Sequence, residues 1–469
     1  EKSRLHPPVP PVPPSGAAAG GVSDSLPQPN LVHSQMKKQE GAEQATAAST
    51  SAAATKTPEE AEREHQEEVA EYWRQHEQYT KAMQQSFAQA GSEEGHFVVK
   101  PGSMIDFTPP FTKGRYKSIQ LLGHGTYGKV VLCEDTKYSN ALVAVKLVRK
   151  EPPIYRTAAH NEIAVLHRVD GGGSCVKLLR SFEHQGHVSM TFELLGESVF
   201  SLVQRAGPGG LHMSRVRDIS YQLLQAIEYV HSKGIIHSDV KSENVLIASH
   251  PDAPGPLYVK LVDFGCAIFE QAWHPPIAGT MNYRAPESVL QAPWSYGVDT
   301  WAVGCILIEM LLGKQIFELS HDDVHLHMIE RLLGPIPHRV LMAGWNASAP
   351  RGLLTVNRQG YARICQCRQE GLAQVAGVLP LEQSLPGKDQ KLAVDLIRRL
   401  MAYEAKDRIT ATEALGHAFF RQRILYPEEE VAKQKMRKRM ALAVVPLLLV
   451  AICVWFWFFP APGEVYEGG

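Results

Sequence analysis

A polar stretch from His237 to Gly265 constrains this chain more than any other feature. In its first part, Asp239 is followed two residues on by Lys241 and five residues on by Asn244. This spacing places a proton acceptor, a cation for phosphate and a metal ligand on one loop. Asp263 follows nineteen residues after Asn244, in Asp-Phe-Gly, and supplies a second metal ligand. The pattern predicts a site for phosphoryl transfer; the alternative, a chance polar loop, leaves the upstream motifs unexplained.

A glycine-rich segment lies upstream within a strand-like run from Tyr116 to Leu132. It reads Gly-His-Gly-Thr-Tyr-Gly-Lys-Val, with glycine at positions 123, 125 and 128. Glycines in this arrangement let backbone amides approach the phosphates of ATP. Alone it is a weak signal, because any tight hairpin can be rich in glycine.

A lysine follows this loop at the end of an apolar strand. Val-Ala-Val-Lys ends at Lys146, eighteen residues after Gly128. A lysine in that position needs a partner, and the expected carboxylate is Glu162 in a helix over residues 158–169. Lys146 is then predicted to hold the α- and β-phosphates, with Glu162 fixing its side chain. The alternative is that both are ordinary surface charges, which their register with the neighbouring loops disfavours.

A strand over residues 187–196 is expected to end at Gly196, at a hinge to a second lobe. The backbone of Glu193 and Leu195 is predicted to contact adenine, and Phe192 to close the rear of the pocket. The predicted magnesium ligands are Asn244 and Asp263. The residues predicted to bind ATP are Gly123, Gly125, Gly128, Val130, Ala144, Lys146, Glu193 and Leu195.

Two acidic residues downstream are predicted to be structural. Glu287, in Ala-Pro-Glu, closes the segment that follows Asp263 and is expected to pair with Arg408. Asp299 is expected to anchor the catalytic loop from the start of a very apolar helix over residues 300–312.

These motifs together resemble the LAMMER-family protein kinases, the Clk branch of the CMGC group. The motif E-H-L-A-M-M-E-R-x-L-G-P is matched from Val324 to Pro335, where nine positions fit and residues 324, 327 and 329 depart. Similar passages occur at residues 95–98, 192–196 and 283–287. The resemblance covers roughly residues 94–423.

The resemblance implies an α+β, bilobal kinase fold with a small β-rich N-lobe (94–195) and a large helical C-lobe (196–423). It implies an ATP- and Mg²⁺-dependent, dual-specificity kinase whose substrates are Arg/Ser-rich splicing factors. Asp239 is predicted to orient the substrate hydroxyl and accept its proton, and Lys241 to neutralise the transferring phosphate. The family's frequent Arg-Ser-rich arm is missing here, since residues 1–94 hold only three arginines. The alternative function is a membrane-tethered pseudokinase or scaffold, which the filled catalytic positions disfavour.

Ser238 occupies the position where most kinases carry the arginine of His-Arg-Asp. That arginine normally receives an activation-loop phosphate, and the LAMMER family likewise lacks it. Residues 264–284 offer only Thr280 and Tyr283 as hydroxyls, both near the far end. We therefore expect an enzyme that is active without phosphorylation of this loop.

The N-terminal part is predicted to lie outside the kinase domain. Residues 1–56 are rich in Pro, Ala, Ser and Thr and are expected to be disordered. Pro7–Pro14 is either a ligand for an SH3 or WW domain or an idle linker. Residues 57–90 are expected to form an amphipathic helix. The net charge of −1 gives no reason to expect direct binding to nucleic acid.

The C-terminal part is predicted to reach a membrane. Residues 441–459 are nineteen uncharged, almost wholly apolar residues, which is long enough for a helix that spans a bilayer. The basic linker at 424–440 favours a tail anchor with the kinase in the cytosol, followed by a short tail at 460–469. The alternatives are a helix docked on the kinase and a nuclear signal in the basic linker, with the protein in the nucleus.

Overall fold

A computed structural model describes most of the predicted kinase domain. It covers residues 95–421 and residue 435, with gaps at 249–255, 319–320, 348, 350–351 and 388–389. The predicted arm, amphipathic helix, membrane segment and tail (1–56, 57–90, 441–459 and 460–469) lie outside the described residues, as does the linker at 424–440 apart from residue 435. Within the part that is described, no helix is both long and apolar enough to cross a membrane.

The N-lobe is a six-stranded antiparallel sheet in the order β1-β2-β3-β4-β6-β5 with one long helix against it. Apolar side chains alternate along β3 and β4, so one face of the sheet forms a core with Phe97, Tyr116 and Phe182. The strands are β1 Met104–Ile105, β2 Tyr116–Gly125, β3 Gly128–Asp135, β4 Ala141–Val148, β5 Leu178–His184 and β6 His187–Glu193.

Helix α1 spans Ile154–Val169 and starts four residues before the predicted position. Pro153 is its N-cap residue, and proline is tolerated at a helix entry because the first amide groups have no partner within the helix. The helix ends at Asp170, which adopts a left-handed backbone conformation. Its buried face includes Glu162, which therefore points inward rather than to solvent.

The glycine-rich segment forms the β2–β3 hairpin. Gly125 and Gly128 are the last paired residues before its two-residue turn. A Cβ atom at Gly128 would lie 2.2 Å from the Leu147 carbonyl oxygen, so only glycine lets the hairpin lie this close to β4.

The C-lobe is mainly helical and is organised around one long helix. This helix, α5, runs from Gly297 to Leu312, three residues longer than predicted, and every side chain from Val298 to Leu311 is buried. A helix that is buried on all sides is expected at the centre of a lobe. The helices are α2 Val199–Ala206, α3 Met213–Ser232, α4 Pro286–Val289, α5 Gly297–Leu312, α6 Asp322–Leu333, α7 His338–Asn346, α8 Leu372–Gly377, α9 Leu381–Ser384, α10 Lys391–Leu400, α11 Ala411–Leu415 and α12 Ala418–Arg421.

Short antiparallel strand pairs hold the loops of the C-lobe. The pair β7–β10 joins the two ends of the segment that contains the polar stretch 237–265. The pair β8–β9 lies within that segment. These strands are β7 Ile235–Ile236, β8 Val245–Ile247, β9 Val259–Leu261, β10 Ile268–Phe269, β11 Leu354–Val356 and β12 Ala362–Ile364. The bilobal arrangement expected from the sequence is confirmed.

Candidate active site

Three charged side chains meet where the two lobes face each other. Lys146 Nζ lies 2.7 Å from Glu162 Oε1 and 2.9 Å from Glu162 Oε2, so the contact expected from the sequence is present. The same ammonium group lies 3.0 Å from Asp263 Oδ1. β4 carries Lys146, α1 carries Glu162, and Asp263 precedes a short 3-10 turn of the C-lobe.

The charges of these three groups are coupled. The Lys146 ammonium group holds the pKa of Asp263 at about 2, so this carboxyl group is ionised at neutral pH. Burial opposes the charge on Lys146, but the Asp263 and Glu162 carboxylates outweigh it and raise the pKa of Lys146. Burial raises the pKa of Glu162, and Lys146 opposes that rise. The Asp263 side chain is 46% exposed, so an ionised carboxylate faces the open cleft.

A cleft of about 650 Å³ opens beside these charges. Phe192, predicted to close the rear of the pocket, is among its lining residues. Gly125 and Gly128 lie at the adjoining tip of the β2–β3 hairpin. The other predicted residues that line the cleft are Gly123, Val130, Ala144, Lys146, Glu162, Glu193, Leu195, Asn244 and Asp263.

The strand that leads to the hinge is shorter than predicted. β6 ends at Glu193 rather than at Gly196, and the Gly196 amide donates a hydrogen bond of 2.7 Å to the Ile247 carbonyl oxygen of β8. The Glu193 carboxylate pairs with Lys260 at 2.6 and 2.8 Å. Its carboxylate is therefore engaged, and the contact predicted with adenine is one of its backbone.

The catalytic loop brings a carboxylate, an ammonium group and an amide together. Lys241 Nζ lies 2.7 Å from Asp239 Oδ2. Asn244 Nδ2 donates a hydrogen bond of 3.0 Å to the Asp239 carbonyl oxygen. The Val262 amide donates to the Asn244 carbonyl oxygen at 2.9 Å, which holds the loop beside the segment that carries Asp263. Residues predicted from separate motifs thus share one site, although their roles stay predictions.

Thr280 belongs to this site, which the sequence reasoning missed. Its hydroxyl donates to Asp239 Oδ1 at 2.6 Å, and its amide donates to the same oxygen at 2.9 Å. Lys241 Nζ donates to the Thr280 hydroxyl at 3.0 Å. The sequence marks Thr280 only as a loop hydroxyl, and no local motif indicates its contact with a residue 41 positions away.

A buried carboxylate supports the catalytic loop from below. Asp299, which is 1% exposed, accepts hydrogen bonds of 2.9 Å from the amides of His237 and Ser238. The anchoring role expected for Asp299 is present. Ser238 has a left-handed backbone (φ 60°), and its hydroxyl donates to the Cys266 carbonyl oxygen at 2.6 Å.

The expected ion pair between Glu287 and Arg408 is also present. Two nitrogens of the Arg408 guanidinium group lie 2.6 and 3.0 Å from the two carboxylate oxygens. Both residues are buried. This bidentate pair fixes the end of the activation segment to the chain before α11.

The residues present fit a nucleotide with a divalent cation. A Cβ atom at Gly123 or Gly125 would meet no atom within 4 Å, so packing does not demand glycine there and the space stays open for phosphate. Asn244 uses its amide nitrogen within the loop, which leaves its amide oxygen available next to the segment of Asp263. An amide oxygen and an ionised carboxylate are the ligand types that Mg²⁺ prefers.

The sequence matches the family model of the protein kinase domain over residues 116–420. The matched segment begins with β2 and ends within α12. It therefore contains every residue predicted to take part in the site.

Curated relatives cover a similar part of the chain. The dual specificity protein kinase CLK1 of Mus musculus is 32% identical over 360 residues, which cover 70% of this chain and 69% of that protein. The serine/threonine-protein kinase AFC3 of Arabidopsis thaliana is 33% identical, with 70% of this chain and 86% of that protein covered. The dual specificity protein kinase lkh1 of Schizosaccharomyces pombe is 31% identical, and the chain spans about half (49%) of its length.

A solved structure, the kinase domain of PF14_0431, is also similar. It superposes with a TM-score of 0.61 at 26% identity and covers 70% of this chain and all of that chain. The similarity therefore extends from the sequence motifs to the arrangement of the two lobes.

Proposed function

The chain belongs to the protein kinase family, in its CLK-type (LAMMER) branch, and we propose how its residues carry out the phosphorylation of Ser, Thr and Tyr that is typical of this branch. It is a protein kinase that uses ATP and Mg²⁺, as the family does in general. The observation that carries the assignment of residues is the meeting of Lys146, Glu162 and Asp263 beside the Asp239 loop.

The nucleotide is held mainly by the N-lobe in this proposal. The glycines of the β2–β3 hairpin leave room for the phosphates, and Lys146 binds them while Glu162 keeps its ammonium group in place. The backbone of Glu193 and Leu195 contacts adenine. Asn244 and Asp263 hold Mg²⁺, which, when bound, neutralises charge that develops on the phosphates.

Asp239 orients the substrate hydroxyl and accepts its proton. Its carboxylate already takes two hydrogen bonds from Thr280 and one contact from Lys241, so its orientation is determined before a substrate arrives. Lys241 stands next to this carboxylate and stabilises negative charge on the phosphate as it moves. Groups that are held in position in advance lower the barrier because they need no reorganisation during transfer.

We further propose that phosphorylation of the activation loop is not needed for activity. The Ser238 hydroxyl bonds the Cys266 carbonyl oxygen directly, and Lys146 and Glu162 are paired in the unmodified chain. The Thr280 hydroxyl is engaged by Asp239, and the Tyr283 side chain is buried. These contacts support a loop that is ordered by its own side chains rather than by an added phosphate.

Arg/Ser-rich proteins such as splicing factors are the substrate class we propose. This rests on the resemblance to the LAMMER family and not on a contact in the site. Proteins that carry SH3 or WW domains are proposed partners of Pro7–Pro14, on the strength of its polyproline pattern.

Location at a membrane is proposed from the sequence of residues 441–459. Their length and apolar character favour a helix that spans the bilayer, and the basic residues before them favour a cytosolic kinase domain. The nucleus remains the alternative location, through the same basic residues.

An assay with an Arg-Ser repeat peptide, ATP and Mg²⁺ tests both the activity and the substrate class. A peptide with alanine in place of arginine serves as the control for the substrate class. Phosphate transfer that depends on arginine is the expected result. Transfer to neither peptide, nor to any general protein substrate, would favour a scaffold that acts by binding.

A further inference from the structure

A ring from the segment before β1 contacts the glycine-rich hairpin. The centroids of the imidazole rings of His96 and His124 lie 4.8 Å apart, at an interplanar angle of 57°. His124 stands between Gly123 and Gly125 near the end of β2 and is among the residues that line the nucleotide cleft. His96 lies upstream of residue 116, where the match to the kinase family model begins. A residue from outside the matched segment therefore reaches the edge of the cleft.

The segment that carries His96 is fixed on both sides of this residue. On one side, Gly95 has a left-handed backbone (φ 81°), and a Cβ atom there would lie 2.8 Å from the Glu151 carbonyl oxygen. The Lys150 amide donates a hydrogen bond of 2.9 Å to the Gly95 carbonyl oxygen. Gly95 therefore ties the chain closely to the loop between β4 and α1.

On the other side, Phe97 is buried in the core of the N-lobe and is 7% exposed. Its ring centroid lies 5.4 Å from that of His184 and 5.5 Å from that of His187, on the hairpin of β5 and β6. Both contacts are edge-to-face, a geometry that aromatic rings prefer. Because its two neighbours are anchored, His96 loses little further chain entropy when its ring packs against His124.

The two sides of the glycine-rich hairpin are supported differently. At its turn and on the β3 side, the Arg149 amide donates to the Tyr127 carbonyl oxygen at 2.9 Å. The Tyr127 ring packs edge-to-face on Tyr155 of α1, with the two centroids 5.8 Å apart. On the β2 side, an added Cβ atom at either glycine beside His124 would meet no atom within 4 Å. The end of β2 therefore depends on the His124 side chain for its packing against the rest of the lobe.

We propose that His96 is a positioning residue for ATP, which holds the β2 side of the glycine-rich hairpin over the cleft through His124. It acts through this second ring and does not touch the nucleotide. This role rests on the proposed function of the hairpin in binding the phosphates of ATP. A hairpin that is held in place in advance binds ATP at a lower cost in entropy. Loss of the contact should therefore weaken the affinity for ATP and leave the steps after binding unchanged.

Titration calorimetry of the full-length protein with a non-hydrolysable ATP analogue and Mg²⁺ tests this. His96→Ala is expected to raise the Kd about three- to tenfold, which is the size of effect that a contact between two rings has. The kcat at saturating ATP should change by less than about twofold. His124→Ala should raise the Kd in the same way, and His96→Ala should add little in the His124→Ala background because both changes break one contact. His96→Phe keeps a ring and should restore most of the affinity.

The matched control is Val98→Ala, which shortens a side chain two residues away that is 67% exposed. It should leave both the Kd and kcat unchanged. The positioning role is wrong if His96→Ala binds the analogue as tightly as the parent protein, or if the effects of His96→Ala and His124→Ala on the Kd simply multiply. It is equally wrong if His96→Phe binds as weakly as His96→Ala, since the ring would then not matter.

Hydrogen–deuterium exchange in the absence of nucleotide separates this proposal from the proposed function. His96→Ala, but not Val98→Ala, should speed exchange at residues 121–126, which form the end of β2 and enter the turn. If the parent protein transfers no phosphate or binds no nucleotide, the proposed function fails, and the exchange pattern still decides whether His96 holds the hairpin. Unchanged exchange at these residues in His96→Ala would overturn the positioning role whatever the affinity.

Discussion

The ammonium group of Lys146 lies 3.0 Å from the carboxylate of Asp263, and this contact joins the N-lobe to the C-lobe. Glu162 holds the same ammonium group from the other side at 2.7 Å. One lysine therefore contacts two acidic groups, one from each lobe. Its partners define where phosphate and metal are expected to bind.

The first prediction concerns these two residues. Lys146→Met or Asp263→Asn should reduce phosphate transfer on the order of 100- to 1000-fold, because each removes a charge that stabilises the transferring group. The fold should remain, as judged by circular dichroism and thermal melting. Lys117→Met is the control, since Lys117 forms an exposed ion pair with Glu134 and should lose little. Parent-like turnover in either site variant would refute the assignment.

The second prediction concerns Thr280. Thr280→Ala removes a hydrogen bond to Asp239 and the acceptor for Lys241, and should lower kcat roughly tenfold. Thr280→Ser keeps the hydroxyl and should recover most of the loss. Thr355→Ala, at an exposed position in β11, is the control. Equal kcat for the alanine and serine variants would show that the hydroxyl is not used.

The third prediction is that the enzyme does not need a phosphate on its activation loop. Protein treated with a phosphatase should keep its kcat, since Ser238 and Cys266 already connect the catalytic loop to the activation segment. Mass spectrometry should confirm that residues 264–284 carry no phosphate in the treated sample. Treated protein that stays inactive until another kinase modifies it would contradict this.

The fourth prediction follows from the pKa of Glu309, which burial raises from 4.5 to about 7. Between these two values the folded protein keeps a proton that the unfolded chain has released. The free energy of unfolding therefore falls as the pH rises from about 4.5 to 7, by an amount on the order of 3 kcal/mol. Glu309→Gln has no such proton, so its advantage over the parent should grow through that window and then level off.

Denaturant titrations of both proteins at several pH values between 5 and 8 measure this difference. The comparison is needed because His325 acts in the opposite direction. Burial lowers the pKa of His325 to about 3, so this residue makes the folded state more stable as the pH rises towards 6.5. His325 is common to both proteins and cancels in the difference. Stability curves that run parallel would show that Glu309 does not titrate in this range.

The fifth prediction concerns the proposed membrane segment at 441–459. The full chain should remain with membranes after a carbonate wash, which strips proteins held only by surface contacts. Replacement of Leu447 and Leu449 by arginine should release it, since each arginine costs about 2.5–3.5 kcal/mol in the centre of a spanning helix. Extraction of the parent protein by carbonate would rule out the anchor.

Sequence motifs predicted those parts of the site in which the functional residues lie at short, fixed distances along the chain. Lys146 and Glu162 are an example, because a lysine at the end of an apolar strand needs a nearby acid. The pair between Glu287 and Arg408 is another, and it spans 121 residues. In each pair, one residue belongs to a recognisable sequence motif, and that motif indicates which residue it pairs with.

Contacts that depend on tertiary packing could not be predicted in this way. Thr280 contacts Asp239 of the catalytic loop across 41 residues, and Glu309 contacts Ser242 of the same loop across 67 residues. Neither residue lies in a sequence motif that predicts its contact. Local packing also shifted the ends of elements. β6 ends at Glu193 because the following residues turn towards β8, and Gly196 bonds to Ile247 there.

The two amides that Asp299 holds, those of His237 and Ser238, are tied to helix α5, which is buried from Val298 to Leu311. The free energy needed to expose these two amides to solvent should therefore be close to that of unfolding the whole lobe. Asp239, the proposed proton acceptor, follows these two residues directly, so it is expected to keep its place in fluctuations that are confined to the N-lobe.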